Sequence, residues 1–419
     1  MGRKRRILKF LGPGLITGAS DDDPSGIATY SQAGAQFGFG IGWTMLLTYP
    51  LMAAIQEISA RIGRTTGHGI AGNLRRYYPG WLLYSVVGLL FIANTINVGA
   101  DLGAMGDAVK LLIGGSSLVY VVLFAAICVS AQILMTYRRY AALLRWLTLS
   151  LFAYVAVLAV TEISWADALS GALLPSITWS NEFFTTLVAI FGTTISPYLF
   201  FWQASQEAEE ERINRHERPL TKAPGQAPAA LKRIRIDTLL GMAFSNAIAF
   251  AIIIATAATL HKNGVTNIET SAQAAEALRP IAGEFASLFF ALGIVGTGLL
   301  AVPVLAGSAA YAVGESRKWP VGLARKPKHA VAFYGVVAVA TILGVLLNFS
   351  PINPIKALYW TAVINGLVAV PVMAVMMLIT AKKQVMGEFT ISGWLRWLGW
   401  ATTATMGACA IGMVATWFS

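Results

Sequence analysis

Apolar runs of about twenty residues recur along the whole chain, and that is the length one helical crossing of a bilayer core requires. Eleven such runs fall near 11–40, 43–62, 80–109, 118–136, 142–161, 184–206, 236–260, 284–313, 330–349, 355–380 and 397–418. Their number predicts an all-α integral membrane fold, because a helix satisfies its own backbone polar groups where no water can do so. With 56% hydrophobic residues, 12% charged residues and a mean hydropathy of +0.64, the surface of a soluble enzyme cannot be built. Residues 1–419 read as a single membrane transport domain. No strand alternation, nucleotide-binding glycine loop or zinc spacing stands between the runs.

The formal net charge of +11 could suggest nucleic acid, but the basic residues are dispersed between the apolar runs. Lys110, Lys262, Arg279 and Lys356 fall on one side of an eleven-span arrangement, and the remaining 27 of the 31 Lys and Arg fall on the other. The positive-inside rule then places the N-terminus in the cytoplasm and the C-terminus outside. No nucleic-acid partner is expected, and the short loops suggest a bacterial inner membrane. The start MGRKRRILKF is similar to a signal-peptide n-region, yet Gly12-Pro13-Gly14 interrupts the apolar stretch behind it, so it reads as a retained anchor. Residues 207–235, with Pro219, Pro224 and Pro228, read as a cytoplasmic loop, and the acidic run Glu207 to Glu211 as a solvated helical extension. Cys128 and Cys409 match no metal or disulfide spacing and read as small buried hydrophobes.

Chemistry is expected where charge is costly. An ionisable side chain at the bilayer centre costs about 2.5–3.5 kcal/mol on insertion scales. Asp21, Asp22 and Asp23 nevertheless stand within the first run, followed by Pro24, Ser25 and Gly26, which disfavour continuous helix. An unwound helix bearing carboxylates predicts an ion site, although three vicinal carboxylates cannot all face one cavity. A second break is expected in the sixth run at Gly192-Thr193-Thr194-Ile195-Ser196-Pro197-Tyr198. Two broken helices at matching places in two groups of five predict inverted five-helix repeats, about 11–161 and 184–380, with an extra helix at about 397–418 and the substrate between the breaks.

These residues also carry a resemblance. Gly12-Pro13-Gly14, eight residues and Asp23-Pro24-Ser25-Gly26 resemble the first-helix signature of the NRAMP divalent-metal transporters, Gly-Pro-Gly, eight residues, Asp-Pro-Gly-Asn. Gln56-Glu57-Ile58-Ser59-Ala60-Arg61-Ile62-Gly63 with Thr66-Gly67, and Gly99-Ala100-Asp101-Leu102, are similar to that family as well. The resemblance covers roughly the whole membrane core and implies a leucine-transporter-type fold, helices 1 and 6 broken, and alternating access. It carries Asp23 over as the metal ligand. Gly26 replaces the motif asparagine, Ser196-Pro197-Tyr198 replaces the sixth-helix Met-Pro-His, Thr193 stands where an alanine offers its carbonyl, and Gln203 replaces a second histidine.

The candidate metal set is therefore Asp23, Ser20, Asp22, Gly26, Thr193 and Ser196, with Asn365 in the tenth run near the position of a family glutamine. Loss of the thioether removes a soft ligand, and oxygen donors suit Mg²⁺ and Mn²⁺. The chain is similar to the magnesium-carrying branch related to NRAMP, so Mg²⁺ is the expected cargo and Mn²⁺ a second one. No permanently bound cofactor is expected, nor enzymatic activity; the oligomeric state is left open, with a monomer plausible. His68, His216, His261 and His329 all lie in loops or at span edges, so no histidine relay crosses the membrane, and uptake is expected to be uncoupled from protons. The alternatives are a proton-coupled Mn²⁺/Fe²⁺ transporter, for which Asp101 resembles the start of the family's third-helix acidic relay while Ala104 stands where a glutamate is frequent, and an organic-solute transporter on the same fold. A channel finds no repeated filter sequence and a membrane enzyme no serine-base pair. Glu57 reads as a structural ion-pair partner, Asn94 and Asn97 as pathway-lining or helix-joining residues. Trp43, Trp81, Trp165, Trp179, Trp360, Trp394, Trp397 and Trp417 read as interfacial anchors.

Overall fold

The computed structural model describes residues 17–135, 149–214 and 216–417, apart from Ala19. Gly12-Pro13-Gly14, the basic start and the first part of the fifth run lie outside the described residues. Fourteen helices of eight or more residues are present among those described, and no strand. They are α1 (Pro24–Phe37), α2 (Trp43–Thr66), α3 (Ile70–Tyr77), α4 (Gly80–Ile113), α5 (Ser117–Leu134), α6 (Phe152–Val160) and α7 (Trp165–Leu173). The second half contains α8 (Asn181–Thr194), α9 (Pro197–Ile213), α10 (Ala227–Thr259), α11 (Ala286–Ser316), α12 (Val331–Leu347), α13 (Pro354–Ala381) and α14 (Gly393–Trp417). Each of the eleven expected runs has a helical counterpart. The first and second meet at a bend of 111° between Pro24–Ile41 and Trp43–Thr66.

α1 is the axis of the bundle. It packs against α10, α13, α8, α11 and α4, and eleven of its fourteen residues are buried, so almost none of it faces lipid. Around it, α8 lies on α13, α9 on α2, and α4 on α11, α12 and α13. Small residues set these crossings, as is usual where lipid and protein are equally apolar. A Cβ on Gly63 of α2 would stand 2.1 Å from the Ala204 carbonyl of α9, and one on Gly192 of α8 would stand 2.0 Å from the Ala362 carbonyl of α13. Trp81, Trp165, Trp179, Trp360, Trp394, Trp397 and Trp417 are exposed, as anchors should be; Trp43 is buried and corrects that expectation. Cys128 is buried and Cys409 partly so.

Two loop readings are corrected as well. α9 does extend past the membrane run to Ile213, but Glu207, Glu209 and Glu211 are buried rather than solvated. Glu207 accepts from Arg233 Nη2 at 2.5 Å, Glu209 from Tyr311 and from the Leu323 and Ala324 amides, and Glu211 pairs with Arg64 at 3.4 Å. Arg64 in turn donates to the Arg218 carbonyl at 2.5 Å and to Gln226 at 2.8 Å, tying the segment after α9 back onto α2. Glu315 of α11 accepts from the Gly69 and Gly72 amides at 3.0 and 2.8 Å. Together these contacts close one end of the bundle. Part of the expected 207–235 loop is the start of α10, where Pro228 occupies the first turn, the one helical position at which proline costs no hydrogen bond. Glu57 pairs with Arg61 one turn on, at 2.5 Å, as its structural reading anticipates.

Candidate metal centre

Both expected breaks are present and built alike. Residues 20 and 21 are helical, Asp22 lies in a bend, Asp23 is extended at φ −72° and ψ 171°, and α1 starts at Pro24. In the second half, α8 ends at Thr194, Ser196 is extended at φ −81° and ψ 131°, and α9 starts at Pro197. Each proline is thus the first residue of a new half-helix, where its missing amide leaves nothing unsatisfied. The half-helices before the breaks end in carbonyls, the negative pole suited to a cation.

The two breaks touch. A Cβ on Gly26 would stand 3.1 Å from Thr193 Oγ1 and 3.3 Å from the Tyr30 ring, so the glycine in place of the motif asparagine lets α1 lie against the second break. Tyr198, one residue past that break, donates its hydroxyl to the Ser20 carbonyl at 3.1 Å. Asn365 stands on α13 beside the contact of that helix with α8, which leads into the second break. Its neighbour Gly366 packs on Gly192, where an added Cβ would lie 3.3 Å from the Gly192 Cα. Neither Asn365 Nδ2 nor Oδ1 has a hydrogen-bond partner among the described residues, although the side chain is buried. Gln203 takes up another task, tying helices together through Thr17 Oγ1 at 2.5 Å and Gln56 Nε2 at 3.3 Å.

The three aspartates, all buried, turn two ways. Asp23 Oδ1 accepts from the Gly26 amide at 2.7 Å and caps α1, while Oδ2 accepts from Asn97 Nδ2 of α4 at 3.1 Å. Asp21 and Asp22 both turn to Ser245 Oγ of α10, at 2.5 and 3.1 Å, and Asp22 Oδ2 has no partner among the described residues. Ser196 donates to the Gly192 and Thr193 carbonyls at 2.6 and 2.9 Å, which commits its proton and leaves its oxygen lone pairs available. Asp101, one turn beyond Asn97 on the same face of α4, is buried with neither carboxylate oxygen partnered among the described residues. No group of three or more His, Cys, Asp and Glu side chains forms a metal cage among those residues. The donors gathered at the breaks are one oriented carboxylate, hydroxyls, amide oxygens and carbonyls, a set of hard oxygen ligands.

Asn97 is the residue whose part the sequence leaves open. It is one of two asparagines on an apolar helix, and only the fold brings it onto Asp23. Removing its charge-assisted hydrogen bond to Asp23 should cost about 1.5–3 kcal/mol. Asn97→Ala is therefore expected to weaken metal affinity roughly tenfold to a hundredfold, read as a raised half-saturation concentration of uptake at normal expression. Wild-type half-saturation in this variant would separate Asn97 from the ion.

A cavity of about 360 Å³ lies on the side away from the closed end, lined by Ala28, Gln32 and Gln36 of α1, Thr185 of α8 and Tyr359 of α13. Ala28, Gln32 and Gln36 are spaced one helical turn apart, so the cavity follows one face of α1 down toward the first break.

Comparison with known proteins bears on this geometry. The family model described as "Natural resistance-associated macrophage protein-like" matches residues 14–416. A protein of Klebsiella pneumoniae subsp. pneumoniae named "Divalent metal cation transporter MntH" is 24% identical over 409 residues, covering 95% of this chain and 91% of its own. Among solved structures, the Eremococcus coleocola manganese transporter superposes with a TM-score of 0.73 at 15% identity, covering all of this chain and 89% of the other. MhsT in complex with L-phenylalanine superposes at 0.61 with 13% identity, covering 97% of each chain. The leucine-transporter-type architecture is thereby shared with a manganese transporter and with a protein solved in complex with L-phenylalanine.

Proposed function

This chain belongs to the natural resistance-associated macrophage protein-like (NRAMP) family, and on that premise we propose that its two helix breaks bind and carry hard divalent cations, Mg²⁺ as well as Mn²⁺. It is a multi-pass membrane transporter of divalent metal cations. The observation that supports this reading is the close approach of Gly26 to Thr193, with Asp23 three residues from the one, Ser196 three residues from the other, and no sulfur in either break. Asp23 supplies the charge. Asp22 Oδ2, the carbonyls of Ser20 and Thr193, Ser196 Oγ and Asn365 Oδ1 are the neutral or secondary oxygen donors that would complete the shell in the transport cycle, and the absence of a side chain at Gly26 lets the two breaks stand close enough to share it. Carboxylate, carbonyl and water ligands suit Mg²⁺ and Mn²⁺ alike, whereas a thioether would favour softer ions.

The solved manganese transporter of the same fold speaks for Mn²⁺, and the curated relatives are named for divalent metal cations at large. Mg²⁺ rests on the donor set. The basic end, closed by Glu207–Arg233, Glu209–Tyr311 and Arg64–Glu211, is the cytoplasmic one under the positive-inside rule, so the polar cavity along α1 is the outer entry. An inside-negative potential favours entry by about 2.3 kcal/mol per charge per 100 mV, enough to drive uptake without protons. A second reading, a proton-coupled Mn²⁺/Fe²⁺ carrier, is favoured by Asp101, a buried carboxylate without a partner among the described residues, beside the Asp23–Asn97 pair.

Uptake of Mn²⁺ into proteoliposomes, with an internal pH dye and external Cd²⁺ as competitor, tests both. Weak inhibition by Cd²⁺, which Ser196→Met strengthens about tenfold or more, with no metal-dependent acidification, is the expected result. Acidification strictly dependent on metal entry would replace the uncoupled reading with the proton-coupled one, and strong Cd²⁺ inhibition of the unaltered protein would remove the argument from sulfur.

A further inference from the structure

We propose that the cytoplasmic face holds a specific site for an anionic phospholipid, with its headgroup phosphate in a basic cavity beneath α3 and one acyl chain in an apolar groove between α4 and α12. The site is remote from the helix breaks and independent of the metal that is carried. Only its cytoplasmic placement rests on the orientation given above.

The headgroup cavity, about 580 Å³, is lined by Arg75 and Arg76 of α3, Arg212 of α9, Lys318 and Trp319 after α11, and Glu315. Four cations therefore converge from three separate elements. None of the four forms an ion pair among the described residues, whereas Arg61, Arg64 and Arg233 nearby all do. Arg75 Nε and Nη1 are buried without any hydrogen-bond partner among those residues. The one carboxylate in the wall, Glu315, accepts from the Gly69 and Gly72 amides and attracts Arg212 and Arg75 without forming an ion pair with either. His68 adds no charge at neutral pH, because burial, reinforced by Arg76, Arg212, Arg75 and Lys222, holds its imidazole down at about 4. Lys318 has a left-handed backbone, φ 62°, which is unfavourable for lysine, yet a cation stands at this rim of the cavity. Converging unpaired guanidinium and ammonium groups are what a phosphate diester recognises.

Trp319 also lines a second, apolar cavity of about 400 Å³ formed by Phe91 of α4 and Gly335, Val336 and Val339 of α12. The two cavities thus meet at one indole. From Ala332 to Val339 the groove runs roughly 10 Å along α12, at 1.5 Å per residue, away from the basic end and into the bilayer. Val331 and Val339 beside it are exposed, so this side of α12 faces lipid. Arg317 lies over the Tyr84 ring at 5.1 Å, a cation and aromatic pair of the kind found at headgroup level. A free phosphate or a nucleotide would satisfy the cations but has no use for a contiguous apolar groove. Basic pockets between spans on the cytoplasmic side are a recurrent form of anionic-lipid recognition.

The test is native mass spectrometry of the intact protein purified in detergent, titrated with phosphatidylglycerol or phosphatidylcholine, with inorganic phosphate as competitor. Two variants address the two halves separately. Arg75→Gln/Arg76→Gln/Lys318→Asn removes cations, with asparagine chosen because it tolerates a left-handed backbone. Gly335→Leu fills the groove, where an added Cβ meets nothing within 4 Å, so the helix has no reason to shift. The unaltered protein is expected to retain phosphatidylglycerol over phosphatidylcholine, and each variant to lose about tenfold or more of that affinity at an unchanged melting temperature. Equal retention of the two lipids, or unchanged phosphatidylglycerol binding in both variants, would overturn the proposal. So would displacement by inorganic phosphate with Gly335→Leu having no effect, which would identify a site for soluble phosphate. Should the triple variant fail to fold, Gly335→Leu alone still decides the lipid assignment.

Discussion

Asp23→Asn is expected to abolish saturable metal uptake, lowering it about a hundredfold or more at limiting metal, while the protein still reaches the membrane in normal amount. Two functions of Asp23 have to be separated for this result to mean anything. The side chain caps α1 through Oδ1 and the Gly26 amide, a bond that asparagine makes nearly as well as aspartate. The negative charge is what asparagine cannot supply, and losing one partner of a desolvated charge pair typically costs 2–5 kcal/mol, the source of the hundredfold estimate. Asp23→Ala removes cap and charge together, so its additional defect, about 1 kcal/mol of stability from the cap alone, should appear in thermal unfolding rather than in transport. Asp23→Asn with normal uptake would mean that the ion is held elsewhere, at Asp22 or Asp101.

Gly192→Ala carries the second large effect. Its Cβ would stand 2.0 Å from the Ala362 carbonyl and 2.4 Å from the Gly366 amide nitrogen, both backbone atoms that cannot rotate away. α8 and α13 must therefore separate by more than an ångström at the level of the second break, displacing Thr193 and Asn365 from α1. Overpacking of a well-packed interior costs about 1–3 kcal/mol, and the displaced donors should reduce uptake about tenfold or more beyond that. A melting temperature lowered by several degrees together with the uptake loss is the expected pair of readings. If Gly192→Ala is stable and transports normally, the close contact of the two helices is not part of the transport cycle. Gly335→Leu, which meets open space, is the matched control for adding bulk at a helical glycine.

The sequence discloses the two breaks because their signals are local. A carboxylate beside a proline within an apolar run is visible without any knowledge of neighbours, and both prolines do start new half-helices. Asn97 is not legible in the same way. Its partner Asp23 lies 74 residues away, and an asparagine on an apolar helix carries no sign of what it faces. The acidic run at the end of α9 misleads for a related reason. Charge along a short stretch reads as solvated, yet the groups that bury it, Arg233, Tyr311 and Arg64, come from three other helices. Pro228 reads as a loop residue where it is a helix starter, since sequence alone does not distinguish proline in a first turn from proline that ends one. Trp43 is buried although it stands at a span edge, because the 111° bend folds that edge into the bundle.

The division of labour among the aspartates comes from Ser245. One hydroxyl on α10 holds Asp21 and Asp22, leaving Asp23 free to turn the other way toward Asn97. Asp23 is accordingly the one carboxylate oriented from both sides, while Asp22 keeps one oxygen without a partner among the described residues.

The most direct test of a hard-ion site at the helix breaks is Mg²⁺ entry into proteoliposomes, recorded with an internal magnesium-sensitive dye under an inside-negative potential, for the unaltered protein and for Asp23→Asn. Saturable Mg²⁺ entry that Mn²⁺ competes and Asp23→Asn removes is the predicted result. Mn²⁺ entry without any Mg²⁺ entry would contradict it, and would show that an oxygen-only donor set does not by itself admit the harder ion.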